Sequence, residues 1–273
     1  MTVGLRNPYS HFLAKSRILC YHKATMEPMV SIVIPTYNEE NFLPKLLRSI
    51  KRQTYRNKEV IVADAKSKDK TREIAEFYGA KVVLGGPVAV GRNNGAEHAK
   101  GDIILFLDAD VVLPDASFLW AAIMEFERRH LGIATCLPLP ISTKKIDHAF
   151  HDFFNVYVKF LGAMMPHTPG FCIMVRREIH ERIGGFDKEV KLAEDHDYAE
   201  QAVKHGKFGV LKSRKIPVSI RRFAKDGRFN IAMKYVFCEL HRMTLGSVKS
   251  DVFNYKFGFD KTFNQDSLKK IRK

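Results

Sequence analysis

Asp102 to Asp115 reads DIILFLDADVVLPD, an apolar run from Ile103 to Leu107 that ends in two carboxylates, Asp108 and Asp110, one residue apart. An uninterrupted run of branched and aromatic side chains predicts a strand covered on both faces, as in parallel sheets. Upstream, Val30 to Pro35 (VSIVIP) and Glu59 to Asp64 (EVIVAD) repeat the pattern, and Lys81 to Leu84 gives one more strand. Between them Leu43, Leu46, Leu47 and Ile50 recur at helical spacing. Ile74 and Phe77 lie on a helix beginning near Asp69, and Gly91 to His98 reads as a loop entering a helix.

Strands alternating with helices imply a parallel sheet with right-handed crossovers. Ligands bind such sheets outside the carboxyl ends of the strands. That rule gathers Pro35 to Glu39 after the first strand, Asp64 after the second, and Asp108 and Asp110 after the fourth. Farther on, Phe118 to Arg129 reads as helix, Ile133 to Leu139 as extended, and Ile146, Phe150, Phe153, Tyr157, Phe160 and Met164 as the stripe of a long helix. Phe171 to Val175 is a strand, Asp195 to His205 a helix, Ile216 to Ile220 a last strand and Ile231 to Leu245 a last helix. The expected class is α/β, with a Rossmann-like, mostly parallel central sheet and helices on both faces.

The 273 residues are 45% hydrophobic and 27% charged, with a net charge of +15. Lys207 to Lys273 holds 17 Lys and Arg against 5 Asp and Glu, so most of the excess lies in the last quarter. A solvated face, a phosphate-bearing ligand, nucleic acid or an anionic membrane would each suit it. Cys20, Cys136, Cys172 and Cys238 show no CxxC spacing, which argues against a zinc site or a disulfide framework and for a cytoplasmic setting. No stretch offers the roughly 20 apolar residues of a membrane span, and the first 28 residues hold no secretory apolar core. We therefore expect an N-terminal extension at 1–28, a catalytic domain at 29–225 with halves 29–115 and 116–225, and a basic amphipathic region at 226–273.

Two carboxylates one residue apart at a strand end can present oxygens to one hard cation, Mg²⁺ or Mn²⁺, bridging to phosphate. Alternatively, one of them caps the following helix. The surrounding segments are Pro35-Thr36-Tyr37-Asn38-Glu39, Asp64 within VIVADAKSKDKT, and Gly91-Arg92-Asn93-Asn94-Gly95. Together, over Val30 to Gly206, this set resembles the family-2 glycosyltransferases of the GT-A fold.

That resemblance implies a nucleotide-binding half, a small acceptor-side subregion and inverting transfer from a UDP- or GDP-sugar. It implies that Pro35, Thr36, Tyr37 and Glu39 line the nucleoside, that Asp64 reads the base, and that Arg92 reaches the diphosphate. Asp108 and Ala109 would border the donor, with Asp110 and Asp108 on the metal. Gly170 and Phe171 would floor the acceptor pocket. Glu194-Asp195 matches the family's ED pair, with Asp195 the general base. Arg221 and Arg222 fall where the family places a diphosphate-contacting or acceptor loop. The chain departs at Asp64-Ala65-Lys66, where the family usually has two acids followed by Gly. No QxxRW motif accompanies the set, which disfavours a processive synthase.

The partners expected are a nucleotide-sugar donor and a glycan or lipid-linked acceptor. The basic, aromatic C-terminal region would make peripheral contact with the anionic, cytoplasmic membrane face. A sugar-nucleotide-forming nucleotidyltransferase would also use strand-end acids and a metal, but with a Gly-rich basic loop where PTYNEE stands. A nucleic-acid-binding protein would not need acids at successive strand ends, so no nucleic-acid partner is expected.

Overall fold

In the computed structural model, residues 27–161, 166, 168–190, 192–221 and 227–249 are described. Arg222, the extension up to residue 26 and the tail beyond 249 lie outside them.

Seven strands form one sheet in the order β3-β2-β1-β4-β6-β5-β7. They are β1 (Val30–Thr36), β2 (Lys58–Asp64), β3 (Lys81–Leu84), β4 (Ile103–Leu107), β5 (Ile133–Ile141), β6 (Cys172–Arg176) and β7 (Phe208–Ser219). The pairs β1–β2, β2–β3, β1–β4 and β5–β7 are parallel, and β6 is antiparallel to both β4 and β5. The mostly parallel α/β expectation holds.

The continuous apolar runs are two-faced. Ile32, Ile34, Ile103, Leu105 and Leu107 enter one core layer, while Val33, Ile104 and Phe106 enter the other. On the first layer pack α1 (Leu43–Lys51), through Leu43, Leu46, Leu47 and Ile50, and α4 (Phe118–Arg128), through Phe118, Leu119, Ile123 and Phe126. Each such side chain, fully buried, contributes about 1.5–3 kcal/mol. On the second layer pack α3 (Val88–Glu97), α6 (Arg177–Arg182) and α7 (Glu194–Ala202). The remaining helices are α2 (Thr71–Phe77), α5 (Lys145–Leu161) and α8 (Arg228–Leu245).

Several boundaries differ from the sequence reading, and three of them bear on the sheet and the site. Gly91 and Gly95 lie inside α3 and not in a loop. A Cβ on Gly95 would stand 2.3 Å from Val33 Cγ1, so its glycine serves close helix–sheet packing. The last strand runs twelve residues where five were expected. Its polar middle is a bulge: the partner of Cys136 is Leu211, and that of Leu137 is Lys215. The amides of Lys212 and Ser213 donate instead to the Glu125 carboxylate at 2.7–3.0 Å. Finally, β6 begins at Cys172, leaving Gly170 and Phe171 in the turn before it.

Candidate active site

Parallel pairing puts the carboxyl ends of β1 and β2 side by side, with Thr36 opposite Asp64. Thr36 Oγ1 donates to Asp64 Oδ1 at 3.1 Å, and Ser67 donates to the same carboxylate through its hydroxyl at 2.5 Å and its amide at 2.9 Å. Asp64 is thus buried and fixed at the crevice wall. The loop after β1 is fastened to the loop after β2: Asn38 N donates to Ser67 Oγ, Lys68 N to Asn38 Oδ1, and Glu39 N to Thr71 Oγ1, at 2.8–2.9 Å. Asp69 accepts from both the amide and the hydroxyl of Thr71, closing the start of α2. Tyr37, next in sequence to Thr36, remains 43% exposed.

Non-glycine residues with positive φ concentrate here. Asn38 (φ 54°) follows Tyr37, Lys66 (φ 59°) follows Ala65, and Ala193 (φ 58°) precedes Glu194. Each left-handed residue costs on the order of 1–3 kcal/mol and persists only where its surroundings impose it. Lys66 sits where the resemblance implies Gly, which explains what that departure strains.

β4 ends at Leu107, and Asp108, Ala109 and Asp110 form the turn that follows. Val111 bridges to Val218, and Val112 N donates to Pro217 O at 3.1 Å, so the end of β7 is carried to this turn. Arg221 therefore reaches the site. Its Nε lies 2.7 Å from Asp110 Oδ2, and its Nη1 and Nη2 donate to Glu39 at 2.8 and 2.9 Å. Burial raises the Glu39 carboxyl above 4.5, Arg221 acts in the opposite sense, and the charges of Asp110 and Asp108 add to the rise.

Arg92, from α3, is only 2% exposed. Its Nη1 donates to Glu194 at 2.9 Å and its Nη2 to Asp108 at 3.2 Å and to Gly170 O at 3.0 Å, with the guanidinium 5.2 Å from the Phe186 ring centroid. Burial lowers its pKa, but the charges of Asp108, Glu194 and Asp195 outweigh that and leave it raised. The resemblance implies that Arg92 reaches a diphosphate; in the structure its guanidinium is interior, held by Glu194, Asp108 and the Gly170 carbonyl. Glu194, also buried, has its pKa raised by desolvation and by Asp195, against the pull of Arg92.

Asp195, the second residue of α7, lies beside this pair. Gly170 N donates to its Oδ2 at 2.5 Å, His196 N to its Oδ1 at 2.9 Å, and Thr168 Oγ1 to its carbonyl at 2.7 Å. A Cβ on Gly170 would meet Arg92 Nη2 at 2.5 Å and Asp195 Oδ2 at 3.1 Å, so the position admits only glycine without rearrangement. Phe171 packs against the core.

The structure brings Pro35, Thr36, Tyr37, Glu39, Asp64, Asp108, Ala109, Asp110, Gly170, Glu194, Asp195 and Arg221 to the carboxyl-end side of the sheet. Sequence reasoning missed the support beneath them. Asn93 exchanges hydrogen bonds of 2.8 Å with the amide and carbonyl of Phe186, whose ring stacks on Tyr198 at 3.9 Å. The asparagine beside Arg92 and the Gly184-Gly185-Phe186 turn were the available signals.

Residues 31–184 match the family described as Glycosyl transferase family 2. The chain belongs to that family. A 4,4'-diaponeurosporenoate glycosyltransferase of Staphylococcus haemolyticus is 37% identical over 129 residues, covering 44% of this chain and 34% of the relative. The UDP-Glc:alpha-D-GlcNAc-diphosphoundecaprenol beta-1,3-glucosyltransferase WfgD of Escherichia coli is 36% identical over 88 residues, 30% of this chain and 35% of that one. The chain spans between a third and three fifths of the curated relatives it matches first. Among solved structures, the mannosyltransferase PcManGT of Pyrobaculum calidifontis, in complex with GDP-Man and Mn²⁺, superposes with a TM-score of 0.60. That likeness covers 87% of this chain and 80% of the other at 22% identity, a likeness of fold.

Proposed function

We propose that this family-2 chain is an inverting glycosyltransferase that moves a sugar from a UDP- or GDP-sugar to an acceptor hydroxyl on a glycan or a lipid-linked carrier. The observation that carries the reading is Arg92. One buried guanidinium ties Asp108, in the turn expected at the donor, to Glu194, the neighbour of the candidate base. Donor and acceptor chemistry would thereby be held in a fixed relation, as a single displacement requires.

In this reading the base lies on Tyr37 against Asp64, and the ribose meets Thr36, Glu39 and Asp108. Asp195 takes the proton of the acceptor hydroxyl while that oxygen bonds to the anomeric carbon and the bond to the diphosphate breaks from the opposite side. Its two oxygens are aimed by the Gly170 and His196 amides. The donor set of the DAD turn suits Mn²⁺ or Mg²⁺. Such ions take one or two carboxylates plus substrate phosphate and water, not an all-protein cage, and a cationic guanidinium already stands 2.7 Å from Asp110. Asp110, with Asp108, would hold the ion, which when bound would supply charge stabilisation to the leaving diphosphate. The Mn²⁺ that accompanies GDP-Man in the Pyrobaculum calidifontis mannosyltransferase complex supports this choice. The diphosphoundecaprenol in the name of WfgD supports a lipid-linked acceptor.

Among the described residues no helix is long and apolar enough to cross a membrane. Exposed Ile146, Phe153 and Val156 on α5, and Val236, Phe237 and Leu240 on α8, together with the basic charge, support peripheral contact with an anionic cytoplasmic membrane face. The test is calorimetry with UDP, GDP and their sugars in Mn²⁺, beside transfer by wild type and Asp195→Asn. The variant should bind donor within about threefold of wild type and lose transfer by about 10²–10⁴-fold. Failure of every nucleotide to bind would refute the reading, and equal loss of donor binding would remove Asp195 from the role of base.

A further inference from the structure

Arg221 closes a bridge that the transfer reaction itself does not call for. It joins Glu39, after β1, to Asp110, after β4, from a position 182 residues away from Glu39. All three guanidinium nitrogens are engaged, Nε on Asp110 and both Nη on Glu39. The guanidinium Cζ lies 4.8 Å from the Phe42 ring centroid. Arg221 and Asp110 have side chains 12% exposed and Glu39 only 8%, so the bridge is largely shielded from water. Its backbone is set as well, since Arg221 N donates to Ser219 Oγ at 3.2 Å.

We propose that Arg221 is a tethered cation standing in the place of the divalent ion, a positioning residue that couples metal binding to nucleotide binding. This rests on the proposed donor site. Asp110 Oδ2 accepts Nε–H at 2.7 Å, and a cation drawn to that oxygen at about 2.0–2.1 Å would be set against a full positive charge within the same shell. The ion alone cannot simply displace the arginine. Once Arg221 leaves, Glu39 is a buried carboxylate without its cation, and truncating one side of a buried pair is costly. A nucleoside supplies what Glu39 then lacks, because ribose hydroxyls can donate to it. The diphosphate meanwhile brings negative charge for both the metal and the displaced guanidinium. Metal and nucleotide thus each remove the obstacle to the other.

Two sites coupled in this way show reciprocal affinity gains, typically about 5–150-fold. The experiment is Mn²⁺ titration followed by paramagnetic resonance of the free ion, on the intact chain, with and without UDP or GDP. Wild type should bind Mn²⁺ at least about fivefold more tightly when the nucleotide is present. Arg221→Gln should bind Mn²⁺ alone about tenfold or more tightly than wild type does, with the nucleotide effect reduced, since the competing charge is gone. Arg221→Lys should fall between, keeping the charge but not the fork, and Asp110→Asn in the Arg221→Gln background should abolish the gain. Equal Mn²⁺ affinity in wild type with and without nucleotide overturns the coupling, whether or not the variants fold. Unchanged metal affinity in a folded Arg221→Gln makes the bridge a staple only. If nucleotide binds and Mn²⁺ does not under any condition, the metal assignment of Asp110 falls and this proposal with it, while the transferase reading stands.

Discussion

Replacing Arg92 with Met keeps an unbranched apolar stem against Phe186 and removes only the charge and its donors. What remains is Glu194, buried, with its cation gone, and Asp108, 28% exposed and able to recover part of its solvation. Breaking a buried pair from one side costs about 3–5 kcal/mol, and Glu194 carries most of it. The cost must depend on pH. In wild type the Glu194 carboxyl already titrates above 4.5, because burial and Asp195 disfavour its anion while Arg92 favours it. Without Arg92 its pKa rises further. A carboxyl whose folded pKa exceeds the unfolded one contributes stability that is full below the unfolded value and is lost as pH rises through the folded value. The deficit of R92M is therefore smallest at acid pH. It grows by about 1.4 kcal/mol per pH unit between the two folded pKa values, then levels off. Urea unfolding of wild type, R92M, E194Q and R92M/E194Q from pH 4 to 8 measures this, and the double variant should recover to within about 2 kcal/mol of wild type, since a neutral pair leaves no stranded charge. A deficit under about 1 kcal/mol, flat with pH, or a double variant no better than R92M, would show that Arg92 acts by packing on Phe186 and not by pairing.

Gly170→Ala should lower stability by about 1–3 kcal/mol, because its Cβ would press on Arg92 Nη2 at 2.5 Å; kinetics should show kcat falling more than donor affinity, as Asp195 is displaced. Lys66→Gly should raise the urea midpoint, corresponding to about 1–2 kcal/mol, by relieving φ 59°. Asp147→Asn should destabilise at pH 7, because Asp147 is fully buried and accepts from Arg228 Nε at 2.6 Å and Ser142 Oγ at 2.5 Å. Burial raises that carboxyl, but Arg228 and Ser142 bring it below 3.8, so its contribution is present above 3.8 and is lost as pH falls through the lower folded value. Thermal melts of the pair should converge in that acid range.

The strands of the proposed donor side were legible because each is an apolar run that ends abruptly in polar residues. β1, β2 and β4 show this, and the parallel rule then places their ends together. Strand direction was not legible: β6 lies between β4 and β5, and Cys172 to Val175 is equally apolar read either way. The length of β7 was hidden by Lys212, Ser213 and Arg214, whose polarity reads as a strand end. The strand continues past them because Glu125, from α4, accepts the bulge amides. Arg92 is the sharpest case. An arginine is expected in water, and nothing local to Gly91–Gly95 shows that Asp108 and Glu194, 16 and 102 residues away, converge on it.

The two arginines also divide the pair of acids at the end of β4. Asp108 is tied through the buried Arg92 guanidinium to Glu194, and Asp110 through the largely shielded Arg221 guanidinium to Glu39. Removing Arg92 strands buried Glu194, whereas in the proposed donor site moving Arg221 strands only groups that an incoming nucleotide would satisfy. Asp108 is therefore the fixed member of the pair and Asp110 the exchangeable one. In the proposed donor site direct metal binding would fall to Asp110, with Asp108 held toward the ribose, so that one turn of sequence would serve an immobile scaffold and a displaceable charge at once.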